Sequence, residues 1–157
     1  MTILALDPGL NNGVAVINDN RELLLATELP VIGEGANKRL DLTSFADLIT
    51  QFHVTQAVIE DVAAMPKQGV SSTFRFGRAA GAVEGALSAL RIPLHFVKPA
   101  AWKKAIGAKA KSDEDIRALA IQTWPDQAHR FGRKLDHNRA EAALIGLWAL
   151  QHGGVQP

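Results

Sequence analysis

The stretch Thr2-Ile3-Leu4-Ala5-Leu6-Asp7, followed by Pro8-Gly9, decides the fold class of this chain. The apolar run predicts a short strand, and the acid and the turn residues predict where that strand ends. Asn11-Asn12-Gly13 predicts a turn, because Asn and Gly tolerate a positive φ. A second strand at Val14 to Ile17 and a third at Glu22 to Leu29 follow it. Two turns in close succession predict an antiparallel meander of three strands.

Helical and strand patterns alternate after the meander. The apolar spacing and the strand-like runs predict these elements in order: a helix over Asp41 to Phe52, a strand over Gln56 to Ile59, a helix capped by Ser71 or Ser72 and ending near Leu90, a strand over Pro93 to Val97, and helices over Pro99 to Ile106, Ser112 to about Trp124, and Asn138 to Gln151. A meander followed by this alternation predicts an α/β fold, a mixed sheet covered by helices.

The composition limits the class of protein. The chain has 157 residues, which predicts a single domain over residues 1–157. Because it has no cysteine, disulfides, thiolate zinc sites, iron–sulfur clusters and a cysteine nucleophile are excluded. No apolar run reaches the roughly 18 residues of a membrane span, and the N-terminus lacks a basic signal-peptide region. We therefore expect a cytoplasmic protein with no membrane partner.

Charge is unevenly distributed along the chain, although the net charge is only +1. Residues 98–134 hold nine Lys or Arg against four acids. A basic segment in an otherwise acidic chain indicates a face for a polyanion such as nucleic acid. The alternative is an ordinary solvated surface.

Three acids stand at positions where a carboxylate needs a partner. Asp7 and Glu60 each follow an apolar strand, and Glu141 lies early in an otherwise apolar helix. An ionised carboxylate in such a setting requires a cation, a backbone donor or a metal ion. Oxygen ligands without thiolates favour Mg²⁺ or Mn²⁺. Taken singly, each acid has a structural alternative, as a turn cap, an arginine partner or a solvated side chain.

Four blocks of sequence resemble one known family. Leu4-Ala5-Leu6-Asp7-Pro8-Gly9 with Gly13-Val14-Ala15-Val16 resembles the first strand and hairpin of RuvC-type Holliday-junction resolvases. Ala57-Val58-Ile59-Glu60 resembles the second catalytic strand of that family, and Phe76-Gly77-Arg78-Ala79-Ala80-Gly81 resembles the helix after it. Residues 136–144 resemble the acidic C-terminal helix. The resemblance spans nearly the whole chain; a phage or prophage setting is left open.

The resemblance implies an RNase H-like fold, in which the three-stranded meander and two parallel strands form one five-stranded sheet. It also implies a homodimer that cleaves branched DNA with two Mg²⁺ ions per site, for which Mn²⁺ can substitute. Two such metal ions together stabilise the attacking and the leaving oxygen of an in-line displacement. Carried over to this sequence, Asp7 would bridge both ions, and Glu60 and Glu141 would each help to hold one.

The fourth ligand departs from the family pattern. The family places an acid, or in some members a histidine, three residues before the last acid, where this chain has Asn138. Our hypothesis is that Asp136 is the fourth catalytic ligand, since it supplies the missing charge. His137 and Asn138 are the alternatives, and a helix cap is the structural role open to Asp136.

Contacts with DNA are predicted from the basic stretch and from the helix after Glu60. Lys103, Lys104 and Lys111 fall in the basic stretch of the family, where one lysine lies near the scissile phosphate, and we assign Lys104 that catalytic role. On the helix after Glu60, the predicted DNA-binding residues are Phe74 as a wedge at the branch point and Arg75 and Arg78 as phosphate contacts. Gly77, Gly81 and Gly85 predict either the dimer interface or burial against the sheet of the same subunit, and the three tryptophans are predicted to be core or interface residues.

The predicted function is a structure-selective endonuclease that resolves four-way DNA junctions by paired symmetric nicks. One alternative is another RNase H-like nuclease acting on flaps, forks or RNA/DNA hybrids. The other is a non-catalytic protein that binds branched DNA. An actin-like phosphotransferase is disfavoured, because a chain of 157 residues lacks the second lobe.

Overall fold

The computed structural model describes residues 1–8, 13–61, 63, 69–107 and 112–152. Its strands are β1 (Thr2–Leu6), β2 (Gly13–Asn18), β3 (Leu23–Glu28), β4 (Val31–Ile32), β5 (Arg39–Leu40), β6 (Gln56–Glu60) and β7 (Leu94–Val97). Its helices are α1 (Leu42–Gln51), α2 (Val70–Ala89), α3 (Pro99–Ala105), α4 (Asp113–Thr123) and α5 (His137–Gln151). Short 3₁₀ turns lie at Gly35–Asn37, Pro125–Phe131 and Lys134–Asp136.

Five strands form one mixed sheet in the order β3-β2-β1-β6-β7. The pairs β1–β2 and β2–β3 are antiparallel, whereas β1–β6 and β6–β7 are parallel. The predicted meander with two parallel strands is therefore confirmed. The two-residue strands β4 and β5, which pair with each other, were not predicted.

The sheet separates two apolar cores, and the alternation of side chains along its strands assigns each residue to one of them. Ile3, Ala5 and Val58 face the core built with α3, α4 and α5, whereas Leu4, Leu6 and Ile59 face the core built with α1 and α2. Helix α5 lies against the centre of the sheet. A Cβ at Gly146 would lie 2.8 Å from Cδ1 of Ile17, so glycine permits this close packing.

The first turn of α5 touches the beginning of β2 directly. A Cβ at Gly13 would lie 2.2 Å from the carbonyl oxygen of Asn138, a distance that no side chain tolerates. The absence of a side chain at Gly13 permits this close approach, whereas Asn11 and Asn12 of the predicted turn lie outside the described residues. The contact fixes the start of α5 beside the end of β1.

Two helices begin with side-chain caps. Asp41 accepts a hydrogen bond from the Ser44 amide at the start of α1, and Ser112 forms a capping box with Asp115 at the start of α4. The prediction that Ser71 or Ser72 caps α2 is wrong, because that helix begins at Val70 after Gly69 without a side-chain cap. Among the described residues, no helix is both long and apolar enough to cross a lipid bilayer.

Candidate active site

Two neighbouring strands deliver the first two acids to the same place. Leu6 of β1 pairs with Ile59 of β6. Asp7 directly follows Leu6 in the sequence, and Glu60 directly follows Ile59. Because side chains alternate along a strand, Asp7 continues the face of Ala5, and Glu60 continues the face of Val58. That is the face that α5 covers. The parallel pairing therefore places both carboxylates at one end of the sheet, under α5.

Helices α5 and α3 supply the other charged groups of the site. Glu141 lies in the second turn of α5, and its Oε1 is 2.8 Å from Nζ of Lys103 on α3. Both side chains are largely shielded from solvent. The charges of Glu60 and Asp7 also act on Lys103. The structure thus gathers three carboxylates, which we call the acid trio (Asp7, Glu60 and Glu141), around a single ammonium group.

A buried tryptophan binds the second acid of the trio. Nε1 of Trp102 donates a hydrogen bond of 2.7 Å to Oε1 of Glu60. Trp102 is fully buried, and Glu60 is only 7% exposed. The indole therefore gives Glu60 a neutral partner inside the protein.

The pKa values of Asp7 and Glu60 indicate that the carboxylates of the trio have too few cationic partners to balance their charge. Burial, and then the charges of Glu60 and Glu141, raise the pKa of Asp7 to about 7. Burial also raises the pKa of Glu60, against the lowering effect of the Trp102 hydrogen bond. The pKa of Lys103 is raised as well: burial opposes its charge, but the hydrogen bond and the charge of Glu141 outweigh it. Ionised carboxylates at this site thus require more positive charge than the chain supplies.

The carboxylate oxygens of the trio are chemically suited to bind a hard divalent cation. Carboxylate oxygens are the ligands that Mg²⁺ and Mn²⁺ prefer. Within the described ranges, no three acidic or histidine side chains already converge as a set of ligands. Lys103 occupies Oε1 of Glu141, so an ion held by all three acids would share Glu141 with this ammonium group or replace it.

A family model described as crossover junction endodeoxyribonuclease RuvC matches residues 3–123. This chain belongs to the RuvC family. It is a nuclease of that class, a hydrolase acting on phosphodiester bonds, and nucleases of this family depend on divalent metal ions. The family resemblance and the RNase H-like α/β fold predicted from the sequence are confirmed.

Solved structures of the RuvC type share the fold at low sequence identity. Thermus thermophilus RuvC in complex with a Holliday junction substrate is 18% identical, with a TM-score of 0.72 over 100% of this chain and 99% of that chain. A second Thermus thermophilus RuvC structure is 17% identical, with a TM-score of 0.61 and the same coverage. The yeast mitochondrial Holliday junction resolvase Ydc2 is 13% identical, with a TM-score of 0.55 over 96% of this chain and 80% of that chain. No curated protein matches the sequence significantly.

Asp136, the predicted fourth ligand of this RuvC-family chain, interacts with arginines and is not among the charges that shift the pKa of Asp7 or Glu60. Its Oδ1 accepts hydrogen bonds from Nε and Nη2 of Arg133 at 3.0 and 2.8 Å, and its Oδ2 accepts one of 2.7 Å from the Arg133 amide. Nη1 of Arg139 lies 3.5 Å from Oδ1. Both arginines also bind Glu28 at the end of β3. We call Glu28, Arg133, Asp136 and Arg139 the arginine cluster.

The arginine cluster has the opposite electrostatics to the acid trio. Asp136 is 1% exposed, and its burial opposes ionisation, but the hydrogen bonds from Arg133 lower its pKa. Burial likewise opposes the charge of Glu28, and the hydrogen bond from Arg139 lowers the pKa of Glu28. Both oxygens of Asp136 are already engaged, so an ion at Asp136 would have to displace an arginine.

The predicted DNA-binding residues fall into separate groups. Lys103 lies at the acid trio, whereas its neighbour Lys104 is exposed on α3. Phe74 is 67% exposed on α2, and the Arg78 guanidinium lies 6.0 Å from the centre of its ring. Arg75 is exposed beside them and lines the same open groove. Lys111 lies outside the described residues.

Two features of the site escaped sequence analysis. Trp102 is a core residue as predicted, but its hydrogen bond to Glu60 was not foreseen. A buried indole N–H usually finds a hydrogen-bond partner, and this tryptophan directly precedes one of the candidate lysines. That combination was the available signal. The arginines that bind Asp136 gave no comparable signal, because basic residues abound in this part of the sequence.

Proposed function

We propose that this RuvC-family chain is a divalent-metal-dependent endonuclease that resolves four-way DNA junctions by paired nicks. The observation that carries the proposal is the acid trio itself. Three carboxylates from β1, β6 and α5 lie with one ammonium group at the end of the sheet. A structural cluster would contain matching arginines, as the arginine cluster does.

Asp7, Glu60 and Glu141 are the residues that would hold the ions. Bound there, a pair of Mg²⁺ ions, or Mn²⁺ in their place, would activate the attacking water and stabilise the leaving 3′-oxygen. The remaining work belongs to the chain. The buried strand ends hold Asp7 and Glu60 in place, and α5 brings Glu141 to them.

Lys103 is the residue that we propose for contact with the scissile phosphate. Its ammonium group neutralises part of the trio before the ions bind, through the pair with Glu141. With Glu141 holding an ion, this ammonium group would be available to a phosphate oxygen, where a positioned cation stabilises developing negative charge. Lys104 was the sequence-based choice for this role and remains a prediction; it is one residue further along α3 and exposed.

Asp136 also remains a prediction as the fourth ligand. Its side chain would have to leave Arg133 and Arg139 before it could bind an ion. Asn138 is the sequence alternative that lies on nearly the same helix face as Glu141, three residues away. The proposed site therefore rests on the trio, and the fourth position is a separate question.

Branched DNA as the substrate is supported by the family and by the likeness to an RuvC structure that is complexed with a Holliday junction. The groove at Phe74, Arg75 and Arg78 is suited to nucleic acid, since an exposed aromatic ring can stack on an unpaired base. Its two guanidinium groups can bind phosphates. We propose that this groove contacts the DNA beside the branch point.

A homodimer is the assembly that paired nicks require, because two symmetric cuts need two sites related by a two-fold axis. Gly77, Gly81 and Gly85 form an exposed stripe on α2, and a Cβ at any of them would meet nothing within 4 Å in the described part of the chain. The alternative that these glycines pack against the sheet of the same subunit is therefore wrong. We propose that the stripe belongs to the dimer interface.

Cleavage assays on a panel of DNA substrates test the activity. Purified protein with Mg²⁺ should cut an end-labelled four-way junction at symmetric positions in opposite strands. It should cut three-way, flap and linear DNA more slowly, and EDTA should stop cleavage. Faster cleavage of flaps, or of an RNA/DNA hybrid, would favour another RNase H-like nuclease, and binding of junctions without cleavage at any Mg²⁺ or Mn²⁺ concentration would contradict the enzyme.

Gly81→Leu tests the dimer, with circular dichroism and light scattering as the measurements. The space around Gly81 predicts a folded protein with native secondary structure. A leucine in a close helix contact should shift it to a monomer. A folded dimer at the native dissociation constant would place the interface elsewhere.

A further inference from the structure

We propose that Trp102 is a positioning residue for Glu60, and that its indole N–H fixes the carboxylate in the orientation that binds the metal ion. This inference rests on the proposed function, because it takes Glu60 as a metal ligand. It assigns Trp102 a role in the reaction beyond its place in the core.

The first support is the hydrogen bond itself. Nε1 of Trp102 and Oε1 of Glu60 are 2.7 Å apart, and both residues are buried. Water cannot easily replace this donor, so loss of the N–H would leave a buried carboxylate oxygen without its partner. The bond engages Oε1, and Oε2 is therefore the oxygen that we expect to bind an ion.

The second support is the position of α3. This helix begins directly after β7, the strand that pairs with β6, and so it starts beside the end of the strand that carries Glu60. Its consecutive residues Trp102 and Lys103 bind Glu60 and Glu141 respectively. The Lys103 ammonium also lies 5.1 Å from the centre of the Trp102 ring. One short helix therefore holds two acids that come from distant parts of the chain.

The consequence is a ligand whose orientation is fixed by a buried, uncharged donor. Glu60 can keep its hydrogen bond to Trp102 while its second oxygen binds an ion. Partners that orient metal ligands in this way typically contribute about 10–100-fold to metal affinity or activity. Trp102 should therefore affect how tightly the ion binds.

The matched control is Trp124, a second tryptophan with a comparable but unrelated bond. Nε1 of Trp124 donates a hydrogen bond of 2.9 Å to the backbone carbonyl of Arg21. Trp124 is 7% exposed and belongs to the same apolar core as Trp102. Trp124→Phe removes a buried N–H and part of a ring, as Trp102→Phe does, without touching the acid trio.

The first experiment uses the indole signals of ¹⁵N-labelled protein without metal. The chain has three tryptophans, so three indole N–H signals are expected, and each Trp→Phe variant assigns one of them. Glu60→Gln should shift the Trp102 signal, because the acceptor loses its charge, and leave the Trp124 signal in place. Mn²⁺, which is paramagnetic, should broaden the Trp102 signal before that of Trp124. A Trp102 signal that ignores Glu60→Gln would overturn the proposal.

The second experiment compares Trp102→Phe and Trp124→Phe by Mn²⁺ calorimetry and by the Mg²⁺ dependence of cleavage. Trp102→Phe should weaken Mn²⁺ binding about 10-fold or more and raise the half-saturating Mg²⁺ concentration by a similar factor. Junction affinity without metal should stay native in both variants. Trp124→Phe should keep native metal affinity even if its Tm falls as far as that of Trp102→Phe.

Equal metal affinity in the two variants would reduce Trp102 to a core residue. That failure is distinguishable from failure of the proposed function, in which the wild-type protein itself would neither bind Mn²⁺ nor cut junctions. If Trp102→Phe does not fold, the indole spectra of wild type and Glu60→Gln still decide the question.

Discussion

Two carboxylate clusters lie at the start of helix α5, with Asp136 directly before the helix and Glu141 in its second turn, and they differ in how their charge is balanced. In the arginine cluster, Glu28 and Asp136 meet two guanidinium groups, and the pKa of each acid is lowered despite burial. In the acid trio, three carboxylates meet one ammonium group, and burial raises the pKa of Asp7 and of Glu60. The arginine cluster has as many cations as acids, whereas the acid trio has fewer cations than acids.

The comparison teaches how a structural acid differs from a functional one. A carboxylate that is matched by arginines stabilises the fold and has little reason to take up a metal ion. A carboxylate cluster that lacks cations is costly to ionise and gains most from binding one. The different partners of Asp136 and Glu141, five residues apart, are the basis on which we propose different roles for them.

The largest expected effect comes from Asp7→Asn. Asn keeps the volume of Asp but removes one of the three carboxylates that we propose to hold the ions. Junction cleavage with Mg²⁺ should fall by more than the roughly 10–100-fold that changes outside the ligands cost. Junction binding, measured by gel shift, should be native or tighter because repulsion of phosphate is reduced. Cleavage at a tenth of the native rate or more would contradict the two-metal proposal.

The next effect distinguishes two neighbouring lysines. Lys103→Met removes the ammonium group of the trio and should lower the single-turnover cleavage rate about 100-fold. Lys104→Met is the matched control, with the same chemistry one residue along α3, and should cut at close to the native rate. If Lys104→Met is the slower enzyme, the assignment based on sequence was right and the proposal for Lys103 fails.

Substitution of Gly13, which packs against the first turn of α5, should lower both stability and cleavage. Gly13→Ala would place a Cβ 2.2 Å from the Asn138 carbonyl and push away the first turn of α5. Overpacking of this kind costs about 1–3 kcal/mol, measurable by urea unfolding, and cleavage should also fall because Glu141 moves. Gly132→Ala is the control, since its Cβ would meet its nearest atom at an ordinary 3.9 Å. Native stability of Gly13→Ala would contradict the close approach of Gly13 to the Asn138 carbonyl.

The smallest effect on cleavage is expected from Asp136→Asn, which weakens the arginine cluster. At pH 7 it should cost about 1–2 kcal/mol of stability through weaker hydrogen bonds to Arg133. Because the pKa of Asp136 is lowered in the folded state, this acid stabilises the fold above its unfolded pKa, near 3.8. That stability is lost as the pH falls through the folded pKa.

The Tm difference between wild type and Asp136→Asn should therefore shrink as the pH falls below about 4. Mg²⁺-dependent cleavage at pH 7 is the companion measurement. A stable Asp136→Asn protein with abolished cleavage would restore Asp136 as the fourth metal ligand and end the contrast between the clusters.

Much of this architecture could be predicted because it is encoded locally. Runs such as Thr2 to Leu6 and Gln56 to Glu60 have the length and composition of buried strands, and Ser112 with Asp115 forms the capping box that its spacing predicts. Asp7, Glu60 and Glu141 were singled out because acids beside apolar runs are unusual. The parallel pairing of β1 with β6 then brings Asp7 and Glu60 together, and the packing of α5 against the sheet adds Glu141.

The sequence by itself therefore determined the order of elements, the mixed sheet and the choice of the three acids. Only the tertiary structure decided which partners these residues meet. Lys103 and Lys104 are equivalent in sequence but point about 100° apart around a helix, so that one reaches Glu141 and the other reaches solvent. Trp102 and Glu60 are 42 residues apart in sequence. The physical reason is range: backbone preferences act over a few residues, whereas a hydrogen bond or ion pair between distant segments exists only once packing has brought them together.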